Sequence, residues 1–379
     1  MNIVIVPDSF KECLSAKDVA ANISIGILEV FPKAKIIEIP ISDGGEGMLE
    51  AITSGIGGKL VSVEVMDPLM RKIKAQYGIL EDNKTAVIEM AKASGLELLK
   101  EEEKKPLVTS TYGTGQLIKD ALDKGCAKII VGIGGSATND GGVGMVKALG
   151  VKFLNSKGEK IKEGGGSLNE LSTIDMSNFD ERILECEVVV ACDVSNPLTG
   201  LNGASFVYGS QKGGDKNDLE VLDKNLVHYA NRIESTLGLD ISTIPGAGAA
   251  GGTGAALLAF LKGKLITGID LMVEILHLNE HVKTADLVIT GEGKIDRQTL
   301  NGKTISGIAK LAKRHTVPVI VITGKIDDDI EEVYTMGVCA VHSIVNKPME
   351  LSEAILKAPR LIQECTKNIM GTIAPFIAN

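Results

Sequence analysis

The sequence has no tryptophan, and only seven Phe and five Tyr among 379 residues. A core for a chain of this length must therefore be built from aliphatic side chains, which the 44 percent apolar content supplies. No two of the six cysteines form a CxxC pair. At positions 13, 126, 186, 192, 339 and 365 they read as reduced thiols rather than a disulfide framework or a zinc knuckle. Basic residues are in deficit, with 40 Lys and Arg against 49 Asp and Glu, a net charge of −9 and a pI near 5.3. That balance argues against a nucleic-acid binder, which a basic patch would announce. It does not exclude a small anionic substrate, which needs only local positive groups. No stretch approaches the roughly 18 apolar residues of a membrane span. The nearest, 246–261, is largely Gly and Ala and runs into Lys262. The opening MNIVIVPDSFK has neither the basic flank nor the long apolar region of a signal peptide, so a cytoplasmic location is expected. A Walker A loop is missing as well: NGKT at 301–304 supplies its end, but Arg297 stands where its first Gly belongs. The protein-kinase motifs, a fixed-period repeat and low-complexity tracts are also absent.

What the sequence has in excess is glycine, 43 residues or about 11 percent against an average of about 7. The excess is clustered in GIGGSATNDGGVG and GAGAAGGTG, between strand-like and helix-like stretches. The run NIVIVP at 2–7 reads as a strand buried on both faces. A helix follows from Ser15, a favoured N-cap residue with Asp18 three positions on, and Val19, Ile23, Ile27 and Val30 give it one apolar face. KIIEI at 35–39 is the next strand, and SDGGEG leads into a helix near 46–54. The C-terminal third repeats this grammar, with strands at 286–290, 317–323 and 338–344 and helices near 303–314, 327–336 and 351–369. Five parallel strands from the two chain ends could form one flavodoxin-like sheet of order 2-1-3-4-5. The middle breaks the rhythm, with strands at 60–66 and 73–79 around the turn DPLMRK, and further buried strands at 129–134 and 187–192. The expected fold is α/β with two domains: a flavodoxin-like, Rossmann-type parallel-sheet domain from 1–61 plus 284–379, and an α/β domain of 62–283 inserted in the middle. A ligand site is expected in the cleft between them.

Two familiar patterns read as decoys. GAGAAG at 246–251 matches GxGxxG, but LDISTIP precedes it where a dinucleotide site needs a buried strand. HLNEH at 277–281 matches the inverted zinc-protease pattern, with His277 and His281 on one helix face, yet the segment runs at once into the strand DLVIT. Stronger signals are the loops after predicted strands, which open on the carboxyl edge where ligands bind in such folds. PDSFK supplies Lys11 to offset phosphate charge, and SDGGEG supplies Asp43 and Glu46 to hold magnesium. GIGGSATNDGG, between a strand and a helix, offers Ser136, Thr138 and Asn139 as an anion site, with Arg71 as a helper. Asp193, following VVVAC, is placed to accept a proton from a substrate hydroxyl, although an Asx turn before Pro197 would also explain it. In TGEGKIDRQTLNGKT, Glu292 and Asp296 suit the metal, while Gly291, Gly293, Gln298 and Lys303 suit nucleotide contacts.

PDSFKECLSA, SDGGEG, GIGGSATNDGG, ACDVSNPLTG and TGEGKIDRQTLNGKT together resemble the first class of the bacterial glycerate kinase family, in the family order from residue 1 to beyond 320. The resemblance implies a two-domain α/β enzyme that converts ATP and D-glycerate to ADP and phosphoglycerate. The 2-phosphoglycerate product is favoured over 3-phosphoglycerate, although the residues themselves leave O2 and O3 open. The expected cofactors are ATP and Mg2+, with direct in-line transfer and no phosphoenzyme. The alternative is a non-catalytic hydroxy-acid binding or sensor protein, and a homodimer is compatible with either.

Overall fold

The computed structural model describes residues 1–42, 47–296, 299 and 304–377. The strands in chain order are β1 Asn2–Pro7, β2 Lys35–Glu38, β3 Gly58–Met66, β4 Lys72–Leu80, β5 Thr85–Glu89, β6 Lys128–Gly132, β7 Lys152–Leu154, β8 Thr173–Asp175, β9 Glu187–Ala191, β10 Lys264–Ile266, β11 Leu287–Ile295, β12 Val319–Ile326 and β13 Val338–Ser343. The chain divides into two compact units. One comprises Met1–Asp43, Glu50–Ile56 and Thr267–Asn379, and the other Gly44–Leu49 and Gly57–Ile266.

The first unit holds one five-stranded sheet in the order β13-β12-β11-β1-β2, every neighbour parallel. Counted within this unit, that is the flavodoxin-like order 2-1-3-4-5 read from the sequence. Central β1 is buried over Ile3, Val4, Ile5 and Val6, as its unbroken apolar run requires. The helix Ala16–Val30 starts where Ser15 accepts the amide of Asp18, and it buries Val19, Ala20, Ile23 and Ile27. Those residues share a core with Leu361, Ile362, Ile369 and Met370 of the helix Leu351–Ile377.

Strands β11 and β12 run further than their apolar stretches suggest. They stay in register through Glu292 with Thr323, Lys294 with Lys325 and Ile295 with Ile326. Gly291 and Gly293 therefore lie in a ladder, not in the loop expected from the sequence. A Cβ on Gly291 would stand 2.1 Å from the Ile322 carbonyl oxygen, so a bare backbone is what lets the strands pair there. The helix expected at 327–336 shrinks to Glu332–Thr335.

The second unit is a six-stranded mixed sheet in the order β10-β9-β6-β5-β4-β3. The four strands from β10 to β5 are parallel, and β4 and β3 add on antiparallel, joined by the expected turn after Met66. A two-stranded ribbon of β7 and β8 lies apart. The scarce aromatics are concentrated here: Phe153 packs against Tyr229 and Phe260 with ring centroids 6.3 and 6.0 Å away. Among the described residues no helix is long and apolar enough to cross a membrane.

Both decoys dissolve on inspection. His277 has a left-handed backbone with φ of 50°, and the helix begins only at Leu278, so His277 and His281 share no helix face. GAGAAG enters a helix, Ala249–Leu261, whose first turn is broken by left-handed backbone at Ala250, Gly251 and Gly252.

Candidate active site

In the second unit, parallel β9, β6 and β5 are neighbours, and the segments leaving their carboxyl ends meet. The Met90 amide donates to the Gly132 carbonyl. The segment after β5 then pairs with the glycine-rich loop after β6, Leu96 N to Gly135 O and Ala137 N to Ser94 O, both 2.9 Å. This loop is built around Asp140, which is 1 % exposed. Its carboxylate accepts the Thr111 amide (2.9 Å) and hydroxyl (2.8 Å) and the amides of Gly142 (3.0 Å) and Gly144 (3.1 Å). Burial pushes this carboxyl's pKa up, and the donors oppose that shift by stabilising the ionised form.

The sequence expectation placed Ser136, Thr138 and Asn139 facing a ligand. The structure turns most of this polarity inward. Thr138 and Asn139 are fully buried, and Ser136 nearly so. The Asn139 amide nitrogen donates to Ser205 Oγ at 3.0 Å, while Thr138 Oγ1 and Asn139 Oδ1 have no hydrogen-bond partner among the described residues. Beneath the loop lies a residue that the sequence reading missed, Lys212. Its ammonium is buried and donates to Ser136 Oγ (2.8 Å) and the Thr138 carbonyl (2.7 Å). Burial lowers its pKa to about 7, and the Asp140 charge acts the other way. The only sequence signal was a lysine flanked by glycines in GSQKGG, which looks like an ordinary turn.

The loop rests on the left-handed 250–252 segment, whose Gly251 carbonyl accepts the Gly141 amide at 3.0 Å. Gly251 has φ of +68°, and a Cβ there would fall 2.0 Å from the Thr138 carbonyl oxygen. Gly251→Ala is expected to cost about 1–2 kcal/mol from the backbone conformation alone, with the clash in addition. The melting temperature should fall by several degrees, at about 2–4 °C per kcal/mol for a unit of this size. A thermal melt indistinguishable from wild type would show that this contact does not hold the loop.

β9 ends at Ala191, and the Cys192 amide donates to Ile266 O (2.8 Å), carrying the edge one residue further. Asp193 then emerges exposed at the carboxyl end, as its position after a buried strand predicts. The chain beyond it is braced by Asn196, whose Oδ1 accepts the Tyr208 hydroxyl at 2.7 Å and whose amide donates to Asn202 O. Arg71 is half exposed and engaged by two carboxylates. Its Nε meets Asp67 Oδ2 and its NH1 meets Glu103 Oε1 at 2.6 Å, which holds its pKa above the usual value. A substrate carboxylate would have to share that guanidinium.

In the first unit, Asp8 and Glu292 follow the paired residues Pro7 and Gly291, so Asp8 leaves β1 beside Glu292, which is still within β11. Asp8, which the sequence reading passed over for Lys11, is buried and accepts the Ser9 amide and the Thr304 hydroxyl, the latter at 2.9 Å. Thr304 opens the helix Thr304–Arg314. Lys11 is exposed on a turn closed by mutual backbone bonds of Phe10 and Leu14. Gly293 lies under that turn, where a Cβ would be 3.3 Å from Phe10 Cα. Thr299, a second residue missed from the sequence, links two predicted carboxylates: its hydroxyl donates to Glu292 and accepts the Asp296 amide. Asp296 also pairs with Lys294 at 3.1 Å, and Lys294 reaches Asp327 at 2.6 Å, raising the ammonium's pKa and lowering the Asp327 carboxyl's. Asp43, Glu46, Gln298 and Lys303 lie outside the described residues. Among the described residues no group of three or more His, Cys, Asp and Glu side chains is placed to hold a metal.

Comparison with known proteins agrees along the whole chain. The model of the glycerate kinase family matches residues 3–374. A glycerate kinase of Halalkalibacterium halodurans is 51 % identical over 97 % of both chains. A glycerate 2-kinase of Escherichia coli K12 is 49 % identical over the full length of both. The crystal structure of a chain assigned as glycerate kinase 2, from Salmonella typhimurium LT2, superposes with a TM-score of 0.91 at 45 % identity, covering all of both chains.

Proposed function

The chain belongs to the glycerate kinase family, and from that membership we infer that it transfers the terminal phosphoryl group of ATP to a hydroxyl of D-glycerate, giving ADP and 2-phosphoglycerate. The single observation that carries this reading is the unbroken agreement with kinases of this family from one end of the chain to the other. The choice of the 2-hydroxyl rests on the glycerate 2-kinase that matches at full length. Nothing among these relatives favours a non-catalytic binding protein. The reading is tested by ATP consumption: it should be negligible alone and should rise on addition of D-glycerate. ATP consumption that ignores glycerate would contradict it. The six unpaired cysteines suit a reducing compartment, and we place the enzyme in the cytoplasm.

The roles proposed for individual residues follow their chemistry. In the second unit, the loop carrying Ser136, Thr138 and Asn139 receives the glycerate carboxylate, with Arg71 as a secondary cation. Asp193 accepts a hydrogen bond from the attacking hydroxyl and takes its proton late in transfer. In the first unit, Lys11 offsets the negative charge that spreads over the transferring phosphoryl oxygens. Gly293 keeps the backbone low beneath the Lys11 turn, and Gly291, Gly293, Gln298 and Lys303 are assigned to the nucleotide. Asp8 joins this set as a buried carboxylate held ready by Thr304.

The donor groups proposed for a metal, Asp43, Glu46, Glu292 and Asp296, are all oxygens, which suits a hard cation. Magnesium in such enzymes takes one or two carboxylates and completes its shell with water and phosphate oxygens, so no cage of three side chains is required. When bound, it neutralises charge on the phosphates. Thr299 keeps Glu292 in place, and Lys294 restrains Asp296. Turnover is expected to fall to background in excess chelator and to return on addition of Mg2+. Full turnover in chelator would remove these carboxylates from metal binding.

A further inference from the structure

We propose that Lys212 is a positioning residue for glycerate: from beneath the glycine-rich loop it fixes the Ser136 hydroxyl as a hydrogen-bond donor and sets a positive charge under the carboxylate that the loop receives. This rests on the reading of that loop as the glycerate-carboxylate site, and it assigns a task to a residue that no sequence motif singled out.

Three features of the geometry carry it. First, the ammonium lies 2.8 Å from Ser136 Oγ and has no lone pair with which to accept, so it donates to that oxygen and leaves the hydroxyl proton unspent. Ser136 makes no other side-chain hydrogen bond to a described residue, and it follows Gly134 and Gly135, which are exposed. The proton is thereby left for an acceptor other than Lys212. Second, the bond from Nζ to the Thr138 carbonyl, at 2.7 Å, ties the ammonium to the backbone two residues on. The turn from 136 to 138 is thus clamped around a single cation. Third, the charged form has a partner that replaces solvent: burial lowers the Lys212 pKa to about 7, and the Asp140 charge opposes that shift. Lys212 is 1 % exposed, and its countercharge is Asp140 in the same loop, itself held by Thr111, Gly142 and Gly144. A buried lysine held only for packing could be replaced by an apolar chain of the same length, since burying an ammonium is costly. Placing the ammonium beneath this loop clamps the 136–138 turn, which a neutral donor could also do. The charge adds an attractive field at a site for an anion. Among the described residues, the nearby Thr138 Oγ1 and Asn139 Oδ1 also have no hydrogen-bond partner, which leaves polar capacity in this loop for a ligand.

The test is a steady-state comparison of wild type, Lys212→Met, Lys212→Gln and Ser136→Ala, each with a thermal melt. Lys212→Met removes both the charge and the donors. Lys212→Gln keeps N–H donors near Ser136 and Thr138 but removes the charge, and it is included because the Met variant leaves Asp140 without a countercharge and is expected to melt lower. Losing a charge-assisted bond made equally in ground and transition states should raise KM for D-glycerate by about 10- to 100-fold in the Met variant, and less in the Gln variant. KM for ATP should not change, and kcat should stay within about threefold. A merely structural lysine would lower stability without this split between the two substrates. In parallel, the Nζ resonance of 15N-lysine-labelled wild-type protein needs no substitution: a slowly exchanging buried ammonium should shift on saturation with D-glycerate and not with ATP alone. The two levels of the proposal fail differently. If Ser136→Ala leaves KM for glycerate unchanged, the loop is not the carboxylate site and the underlying reading falls. If Ser136→Ala raises that KM while folded Lys212 variants do not, or the buried resonance ignores glycerate, the role of Lys212 alone is overturned.

Discussion

Asp193→Asn is expected to lower kcat by about 10²–10⁴-fold while the enzyme still binds D-glycerate and ATP. The side chain stands exposed at the carboxyl end of β9, one residue past Cys192 and the buried run Val188, Val189, Val190 and Ala191. The chain that follows is held by Asn196 through Tyr208 and Asn202. The amide replacement preserves size and one acceptor but removes charge and basicity. Its effect should therefore fall on the transition state, where the attacking hydroxyl gives up its proton, and the melting temperature should stay close to wild type. A folded Asn variant with near-normal turnover would reduce Asp193 to a residue of the turn before Pro197. The proton would then pass elsewhere, with buried Asp8 the next carboxylate to replace.

Lys11→Ala should have an effect of similar size, about 10²–10³-fold in kcat, for a different reason. Its ammonium is proposed to meet charge that develops on the phosphoryl oxygens during transfer. Lys11 is exposed, and its turn is closed by backbone bonds between Phe10 and Leu14, which the substitution leaves intact. Loss of turnover with an unchanged melt is therefore the expected signature. Lys11→Arg should recover only part of the rate, because the planar guanidinium cannot place its charge where a compact ammonium sits. A Lys11→Ala enzyme with wild-type kcat would leave this lysine a solvated surface group.

The sheet of the first unit was legible because its strands announce themselves as short, unbroken apolar runs, NIVIVP, DLVIT and VPVIVIT, which only a doubly covered parallel sheet can bury. Their true length was not legible. Gly291, Glu292, Gly293 and Lys294 look like a loop, yet they pair with β12 because glycine admits the close approach of Ile322. The candidate loops were found for the same reason as the strands, since they follow them. The direction of their side chains was not, because nothing local turns Thr138 and Asn139 inward. That is set by Asp140, Ser205, Lys212 and Gly251, which come from four separate stretches of sequence. The left-handed backbone at 250–252 was hidden for a related reason: Ala250 has no local cause to adopt φ of 53°, and the conformation follows from packing on the 138–141 loop. Asp8 was overlooked beside Lys11 because a carboxylate one residue past a strand looks like a turn former until Thr304, nearly three hundred positions away, donates to it.

The central claim is most directly tested by a phosphorus-31 NMR spectrum of the purified enzyme incubated with ATP, Mg2+ and D-glycerate. The account predicts the growth of ADP together with one new phosphomonoester signal, split by a single carbon-bound proton as 2-phosphoglycerate requires. A signal split by two protons would move the transfer to the 3-hydroxyl, and ADP with inorganic phosphate alone, or no change at all, would contradict a glycerate kinase.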